Sequence, residues 1–217
     1  SYGPQYPRGI QEGNGVPADG DLWVSYSVNK EDMWISRIPV PVEINASAHA
    51  DDDFSKNKSI AELTDWNIYS PVWAPVSLED QWLKLQDKDP FDYAKVERKI
   101  PASKELKVSF DLKAGQNDKG TLQIEFLDEN GIACSRIELT DDGIFRLKGG
   151  SRFANMMKYE AGKVYHVEAV LSTVDRNIQV YVDGKRVGLR MFYAPVAAVE
   201  RIVFRTGVPR TFPTVDT

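Results

Sequence analysis

The stretch KVYHVEAVLSTVDRNIQVYVDGKRVGLR, residues 163–190, decides the fold because it predicts three successive antiparallel strands joined by two turns. Apolar and polar residues alternate on both sides of Asn177, which is the period-2 pattern of strands that bury one face. The pair Asp183-Gly184 separates the last two strands, and Asp and Gly supply the positive-φ positions that tight hairpins need. The pair is therefore interpreted as turn chemistry rather than a functional site.

The rest of the chain repeats this pattern of short alternating runs and tight turns. Ile124 and Phe126 alternate with Gln123 and Glu125, which predicts a sheet buried on one side, with a polar outer face left for solvent or a ligand. No amphipathic helix of convincing length is present. We predict an all-β, two-sheet antiparallel β-sandwich of the jelly-roll type. Further strand candidates are residues 94–100, 106–112, 121–127, 132–139, 144–147 and 201–205.

Composition narrows the classes of partner. The chain has 217 residues, a net charge of −5 and a pI near 5.2, which disfavours nucleic acid or an anionic membrane as the main partner. No apolar run approaches the roughly 20 residues of a membrane span. Cys134 is the only cysteine, so the chain has no intrachain disulfide framework and no thiolate metal site.

The organisation along the chain predicts two parts. Residues 22–27 and 33–38 form a predicted hairpin within residues 1–43, and an isolated hairpin must pack on something to be stable. Residues 44–217 contain the sandwich. At the start of the second part, a polar stretch that includes Asp51-Asp52-Asp53 is interpreted as a flexible acidic linker. Both ends of the sequence look cut, so we expect a piece of a longer protein, with the sandwich truncated at its C-terminus.

Two resemblances accompany these patterns. KVYHVEAVLS and NIQVYVDGKRV, together with LKLQDKDPFDYAKVERKIP ahead of KVSFDLKAG, resemble the concanavalin A-like, laminin G-like sandwich family over residues 66–207. PRGIQEGNG and DGDLWVSYSVNKEDMWISRIPVP resemble the last strands of a sialidase-like β-propeller in secreted bacterial polysaccharide-degrading enzymes. Asp19-Gly20-Asp21-Leu22-Trp23 is similar to an Asp-box repeat but lacks its Ser/Thr start and its spacing to Trp.

The resemblances imply that residues 1–43 are a propeller remnant and that the parent protein is a bacterial glycosidase or polysaccharide lyase. They also imply that the protein is secreted, periplasmic or at the cell surface.

An aromatic cluster is the first candidate ligand site, because flat aromatic faces stack on sugar rings while neighbouring polar groups fix the orientation. The alternative is that these side chains fill the core or an interdomain seam, since alternation places several of them inward. The cluster comprises Trp66, Tyr69, Trp73, Trp82, Phe91 and Tyr93.

Asp87, Asp89 and Asp92 form a D-x-D-x-x-D spacing that could offer a calcium ion several carboxylate oxygens from one loop. Laminin G-like sandwiches often bind calcium, although their ligands cannot be matched here residue by residue. The glycine of an EF-hand loop is absent, and a solvated acidic loop is the alternative interpretation.

Glycoside hydrolysis requires two carboxyl groups about 5 Å or 6.5–9.5 Å apart. Glu125 and Glu168 occupy outward strand positions and are the candidates, but the E-x-D-x-x-E motif of sandwich-fold glucanases is absent. Exposed glutamates on strands are usually only solvated. His166 has no accompanying nucleophile motif and is interpreted as ordinary structure.

Three functions remain open from the sequence. The first is a non-catalytic accessory module of a polysaccharide-degrading enzyme, which binds a polysaccharide or oligosaccharide or packs on the catalytic domain of the same protein. The second is a part of a glycoside hydrolase, with catalysis on the sandwich or in a missing propeller. The third is a structural spacer with no ligand.

Overall fold

The computed structural model describes residues 4–11, 21–28, 32–38, 50–89 and 92–207. The chain divides into two compact units, Ser1–Asn45 and Ala46–Thr217. The predicted turn at residues 29–31, the segment 39–49, the start of the Asp-box likeness and the C-terminal tail after Gly207 lie outside the described residues. The interpretation of residues 1–43 as a propeller remnant stays a prediction.

The first unit contains an antiparallel sheet of three strands in the order β1-β2-β3. The predicted hairpin is confirmed as β2 and β3. A third strand, β1, pairs with β2 on the side opposite β3. The strands are β1 Pro4–Gln11, β2 Leu22–Val28 and β3 Asp32–Ile38.

Strands are almost the only regular secondary structure among the described residues of the second unit. Its described residues contain one short 3-10 turn, Ile60–Glu62, and no α-helix. No helix among the described residues has the length and apolar character that a membrane span requires. The strands are β4 Trp66–Tyr69, β5 Val76–Glu79, β6 Trp82–Leu85, β7 Lys95–Ser103, β8 Glu105–Lys113, β9 Leu122–Leu127, β10 Ala133–Leu139, β11 Ile144–Gly149, β12 Arg152–Lys158, β13 Val164–Ser172, β14 Asn177–Val182, β15 Lys185–Met191 and β16 Val199–Thr206.

Two antiparallel sheets pack face to face in this unit. One has seven strands in the order β12-β11-β10-β9-β16-β7-β4, and the other has four in the order β15-β14-β13-β8. Phe126 of the first sheet and Val167 of the second are fully buried in one shared core. The rings of Phe204 and Phe110 meet edge to face across the two sheets, 5.1 Å apart. The predicted antiparallel sandwich of the jelly-roll type is therefore confirmed.

The stretch at residues 163–190 folds as its pattern predicts. It forms β13, β14 and β15, which pair in register as antiparallel neighbours. Both residues of the turn between β14 and β15 have positive φ, 50° at Asp183 and 78° at Gly184. Two successive positive φ values define the type I′ turn, whose twist matches that of the flanking strands.

A smaller core lies beside the main one, where the β5–β6 hairpin packs near β4 and β7. At this edge the buried guanidinium of Arg98 donates from Nε to Asp52, at 2.9 Å, and lies 3.4 Å from a carboxylate oxygen of Asp65. A buried charge requires such partners. The interpretation of Asp51-Asp52-Asp53 as only a flexible linker is therefore wrong for Asp52. The local sequence could not show this, because the partner arginine lies 46 residues away in the chain.

The type I′ turn generates a direct test. We expect Gly184→Ala to lower the free energy of unfolding by about 1 kcal/mol, because a Cβ is disfavoured at positive φ. Gly115→Ala is the matched control, because a Cβ added at either glycine would meet no atom within 4 Å and Gly115 does not have positive φ. Urea unfolding measures both. Equal effects of the two substitutions would contradict the assignment of this turn.

Candidate functional site

The outer face of the seven-stranded sheet carries most of the polar groups that could form a site. Since Ile124 and Phe126 of β9 point into the core, Gln123 and Glu125 point away from it. The strand register aligns their neighbours in rows across the sheet. We call this surface the polar face, and it has three rows. The first row is Tyr69, Lys95, Arg205, Gln123, Glu138, Arg146 and Asn155. The second row is Asn67, Glu97, Val203, Glu125, Arg136, Lys148 and Phe153, and the third is Lys99, Arg201 and Leu127.

Cross-strand ion pairs hold much of the polar face in place. Arg136 of β10 donates from Nε to Glu125 of β9 at 2.8 Å. Arg146 of β11 donates from Nη2 to Glu138 of β10 at 2.6 Å. On the same face, Glu97 accepts from Lys95 of its own strand, β7, at 2.9 Å, and lies 3.5 Å from Nη1 of Arg201 on the neighbouring β16. These pairs limit the rotamers of long side chains, so the face presents fixed rather than freely moving groups.

The polar face contains polar side chains that are more deeply buried than the most exposed ones on the outer face of the other sheet. On the four-stranded sheet, Lys107 and Asp111 have side chains 66% and 58% exposed. On the polar face, Glu138 is only 3% exposed and Gln123 is completely buried. Hydrogen bonds and charges are stronger in such a shielded environment, and unpaired polar atoms there are correspondingly unfavourable.

Three side-chain atoms of the first row are buried and have no hydrogen-bond partner among the described residues. They are Nε2 of Gln123, Nε of Arg146 and Nε of Arg205, on strands β9, β11 and β16. The fourth such atom in the described chain, Nε1 of Trp66, lies on the core side of β4. Buried polar atoms in folded proteins are nearly always bonded. Because the three atoms in the row are all donors, a water molecule or a ligand that pairs with them would act as a hydrogen-bond acceptor.

Aromatic rings border the polar face at both ends of the sheet. At the β12 end, the guanidinium of Arg146 lies 4.3 Å from the centre of the Phe153 ring. At the β4 end, the guanidinium of Arg205 lies 5.0 Å from the ring centre of Tyr93, which in turn contacts the ring of Tyr69 at 5.4 Å. Polar donors and acceptors between apolar ring faces are the combination that sugar sites use.

Tyr193, from the segment between β15 and β16, belongs to the same region. Its ring centre lies 4.4 Å from the ammonium of Lys148. Burial raises the pKa of Tyr193 to about 12, and the nearby positive charge of Arg136 offsets only part of that effect. The phenol is therefore protonated at neutral pH and serves as a hydroxyl donor or acceptor rather than as an anion.

The structure does not gather the predicted aromatic cluster into one platform. Trp66 packs in the smaller core, with its ring near Phe54 and Phe204. Trp82 is half-buried on β6, whereas Trp73 is 57% exposed in the loop before β5. Of the described members, Tyr69 and Tyr93 border the polar face, and Phe91 lies outside the described residues.

The carboxylates of the acidic loop accept hydrogen bonds from the loop's own backbone and from hydroxyl groups of neighbouring strands. Asp87 accepts from the amide of Asp89 at 2.9 Å and from the hydroxyl of Thr206 at 2.9 Å. Asp92 accepts from the hydroxyl of Tyr69 at 2.9 Å. No three acidic, histidine or cysteine side chains in the described part of the chain are grouped so as to hold a metal ion. Calcium binding by Asp87, Asp89 and Asp92 stays a prediction.

The two candidate catalytic glutamates lie on opposite outer faces of the sandwich. Glu125 belongs to the polar face and pairs with Arg136, whereas Glu168 on β13 pairs with Lys107 at 2.7 Å on the other sheet. Two packed sheets about 10 Å apart separate them, a distance too long for either mechanism of glycoside hydrolysis. The structure thus offers no catalytic pair from these residues.

Sequence reasoning placed Gln123 and Glu125 outward but missed most of the polar face. Arg136, Glu138 and Arg146 alternate with buried residues, and that alternation is the one signal that could have identified them as outward. Their grouping depends on the register between strands that are distant in the chain, which the alternation does not contain.

Comparison with known proteins identifies a matching family and a solved structure with a very similar sequence. Residues 66–217 match the family model described as Sialidase-like, CBM domain. A solved structure of a sialidase is 91% identical over 100% of this chain, with a TM-score of 0.85. The chain spans 20% of the length of that sialidase. No curated protein sequence matched the chain.

Two more distant structures are also similar. Trypanosoma rangeli sialidase in complex with sialic acid is 15% identical, with a TM-score of 0.46, over 96% of this chain and 39% of its own. The carbohydrate binding module CBM66 from Bacillus subtilis is 11% identical, with a TM-score of 0.37, over 65% of this chain and 87% of its own.

The environment of Tyr193 yields a pH prediction. The raised pKa means that the stabilising contribution of this phenol is complete below pH 10, the ordinary value, and is lost as the pH rises through about 12. We expect Tyr193→Phe to lower the absorbance change at 295 nm by the amount of one tyrosinate. The loss should occur at the high-pH end of the titration, where the most strongly shifted tyrosines ionise. Loss of a tyrosinate that forms near pH 10 would contradict the described burial.

Proposed function

We propose, because this chain belongs to the Sialidase-like, CBM domain family, that its second unit binds glycan through the polar face. The observation that carries the proposal is the row of unpartnered buried donors on Gln123, Arg146 and Arg205. No other part of the described chain combines such a row with ordered ion pairs and bordering aromatic rings.

The geometry suits a sugar for physical reasons. A pyranose presents several hydroxyl oxygens that accept hydrogen bonds, together with a patch of C–H groups on one ring face. The oxygens would accept hydrogen bonds from the row of donors. The C–H face would lie on the ring of Phe153, a residue at the edge of the sheet that is 36% exposed. The carboxylates of Glu125 and Glu138 would accept from sugar hydroxyls in return.

We further propose that the unit is an accessory module of a secreted bacterial sialidase. The high identity to a sialidase of which this chain spans 20% supports this role. The absence of a carboxylate pair between Glu125 and Glu168 favours catalysis elsewhere in the parent protein over catalysis on the sandwich. A glycan-binding module next to a glycosidase raises the local concentration of its substrate by linkage.

The first unit exposes apolar side chains that another part of the same polypeptide could cover. Register places Ile10, Trp23, Met33 and Ile35 on one face of its three-stranded sheet. Ile10, Met33 and Ile35 are each at least 70% exposed. The same face also carries Arg8, Ser25, Ser27 and Arg37, so these side chains form an exposed group that is apolar in part. Exposed apolar side chains grouped on one face mark an interaction surface. We propose that the remaining part of the sialidase polypeptide covers it.

Binding assays separate the polar face from the aromatic cluster predicted from sequence. On an array of neutral and acidic oligosaccharides, we expect the 217-residue chain to retain a ligand, and Phe153→Ala to weaken its binding about fivefold, the equivalent of roughly 1 kcal/mol for a lost aromatic contact. Trp73→Ala is the matched control on another exposed aromatic ring, and we expect no change. Loss of binding in the Trp73 variant alone would place the site elsewhere, and a chain that binds no glycan would favour the structural spacer.

The apolar face of the first unit is tested by Met33→Ser combined with Ile35→Ser. In the isolated chain we expect less self-association in sedimentation velocity, because two exposed apolar side chains are removed. In the whole sialidase we expect a lower melting temperature, because each side chain would lose about 1.5–3 kcal/mol of burial. Val174→Ser, at a residue 71% exposed in the second unit, is the control. An unchanged melting temperature of the whole sialidase would contradict the proposed contact.

A further inference from the structure

The charge of the polar face is opposite to that of the whole chain. Its three rows contain seven cationic side chains and three carboxylates, whereas the chain carries a net charge of −5. The cationic members are Lys95, Lys99, Arg136, Arg146, Lys148, Arg201 and Arg205, and the carboxylates are Glu97, Glu125 and Glu138. A local positive surface on an acidic protein favours a negatively charged partner.

Arg205 differs from the other arginines of the polar face. Arg136, Arg146 and Arg201 each lie within 3.5 Å of a glutamate oxygen. Arg205 has no carboxylate partner among the described residues. Its Nη2 donates to Oε1 of Gln123 at 2.8 Å, and its Nε has no acceptor. A half-buried guanidinium without a counterion is unfavourable, and an anionic ligand would neutralise it.

The surroundings of Arg205 fix its orientation. Gln123 holds one end of the guanidinium, and the ring of Tyr93 lies 5.0 Å from its centre. Gln123 also contributes its own unpartnered Nε2 beside the guanidinium. A planar guanidinium in a fixed orientation matches the oxygens of a carboxylate or sulfate group in a way that a flexible ammonium does not.

We infer that the ligand of the polar face is an acidic glycan, whose anionic group pairs with the Arg205 guanidinium while the neutral part of the sugar extends along the row towards Arg146. The inference rests on the proposed glycan-binding function and adds the charge of the ligand and the residue that recognises it. Gln123 acts as a positioning residue for Arg205.

Calorimetry with matched sugars tests the inference on the 217-residue chain. The probes are 3′-sialyllactose, digalacturonate and lactose 6-sulfate, with lactose as the neutral counterpart, so that sialyl, uronyl and sulfate sources of the anion are distinguished. We expect at least one acidic probe to bind about tenfold more tightly than lactose, as one charged hydrogen-bonded contact provides. The difference should shrink as salt rises from 50 to about 500 mM.

Variants of one residue identify the recognising group. Arg205→Met should remove the preference for the acidic probe and leave the weaker binding of lactose. Arg205→Lys should restore only part of the preference, because charge is kept and planar geometry is lost. Arg186→Met, at an exposed arginine of β15 on the other sheet, is the matched control and should change nothing. Unchanged circular dichroism and melting temperature show that the variants fold.

The outcomes separate this inference from the proposed function. Equal binding of lactose and the acidic probes, with no effect of Arg205→Met on their ratio, would overturn the acidic specificity and leave glycan binding intact. A preference that survives Arg205→Met but is lost in another arginine variant would overturn the assignment to Arg205. Binding of no probe, together with no ligand on the oligosaccharide array, would overturn both proposals.

Discussion

The shared core between the two sheets is the constraint on which the rest of this structure depends. The core buries one face of each sheet, including Phe126, Phe145, Val167 and Val180 without measurable exposure. Every second residue of a core strand must therefore point outward. The composition of those outward positions is free of the packing requirement, and it differs sharply between the two sheets. Lys107 and Asp111 on the four-stranded sheet are mostly exposed, whereas Gln123 and Glu138 on the seven-stranded sheet are buried.

This difference explains why the polar face is a candidate site and not simply a surface. A solvated lysine such as Lys107 forms an ion pair that contributes little to stability. For the shielded pair Arg146–Glu138, lost hydration offsets much of the attraction, so the pair is weak evidence for a purely stabilising role. The proposed glycan site rests on the neighbouring row of buried donors, the Nε atoms of two arginines and the amide nitrogen of Gln123. The exposed apolar side chains of the first unit form an independent surface, which we propose the rest of the polypeptide covers.

Much of the fold could be predicted from sequence because its signals are local. Alternation and the Asp183-Gly184 turn are contained within short stretches, and both were confirmed, as was the outward direction of Gln123 and Glu125. The candidate site could be predicted only in part. The aromatic residues were conspicuous in sequence, yet Trp66 packs in the smaller core. The sequence did not identify this, because composition does not reveal which way a ring points. Arg205 and Arg146 are 59 residues apart in the numbering and share a row only through the pairing of four strands.

The most direct test of glycan binding on the polar face is an amide NMR titration of the chain with the oligosaccharide that it binds most tightly. Ligand binding shifts the amides nearest the contact, so the residues that move identify the surface. We expect the largest shifts on β9, β10, β11 and β16, centred on Gln123, Glu138, Arg146 and Arg205. Shifts confined to β8 and β13 on the other sheet, or to the loop around Trp73, would contradict the account.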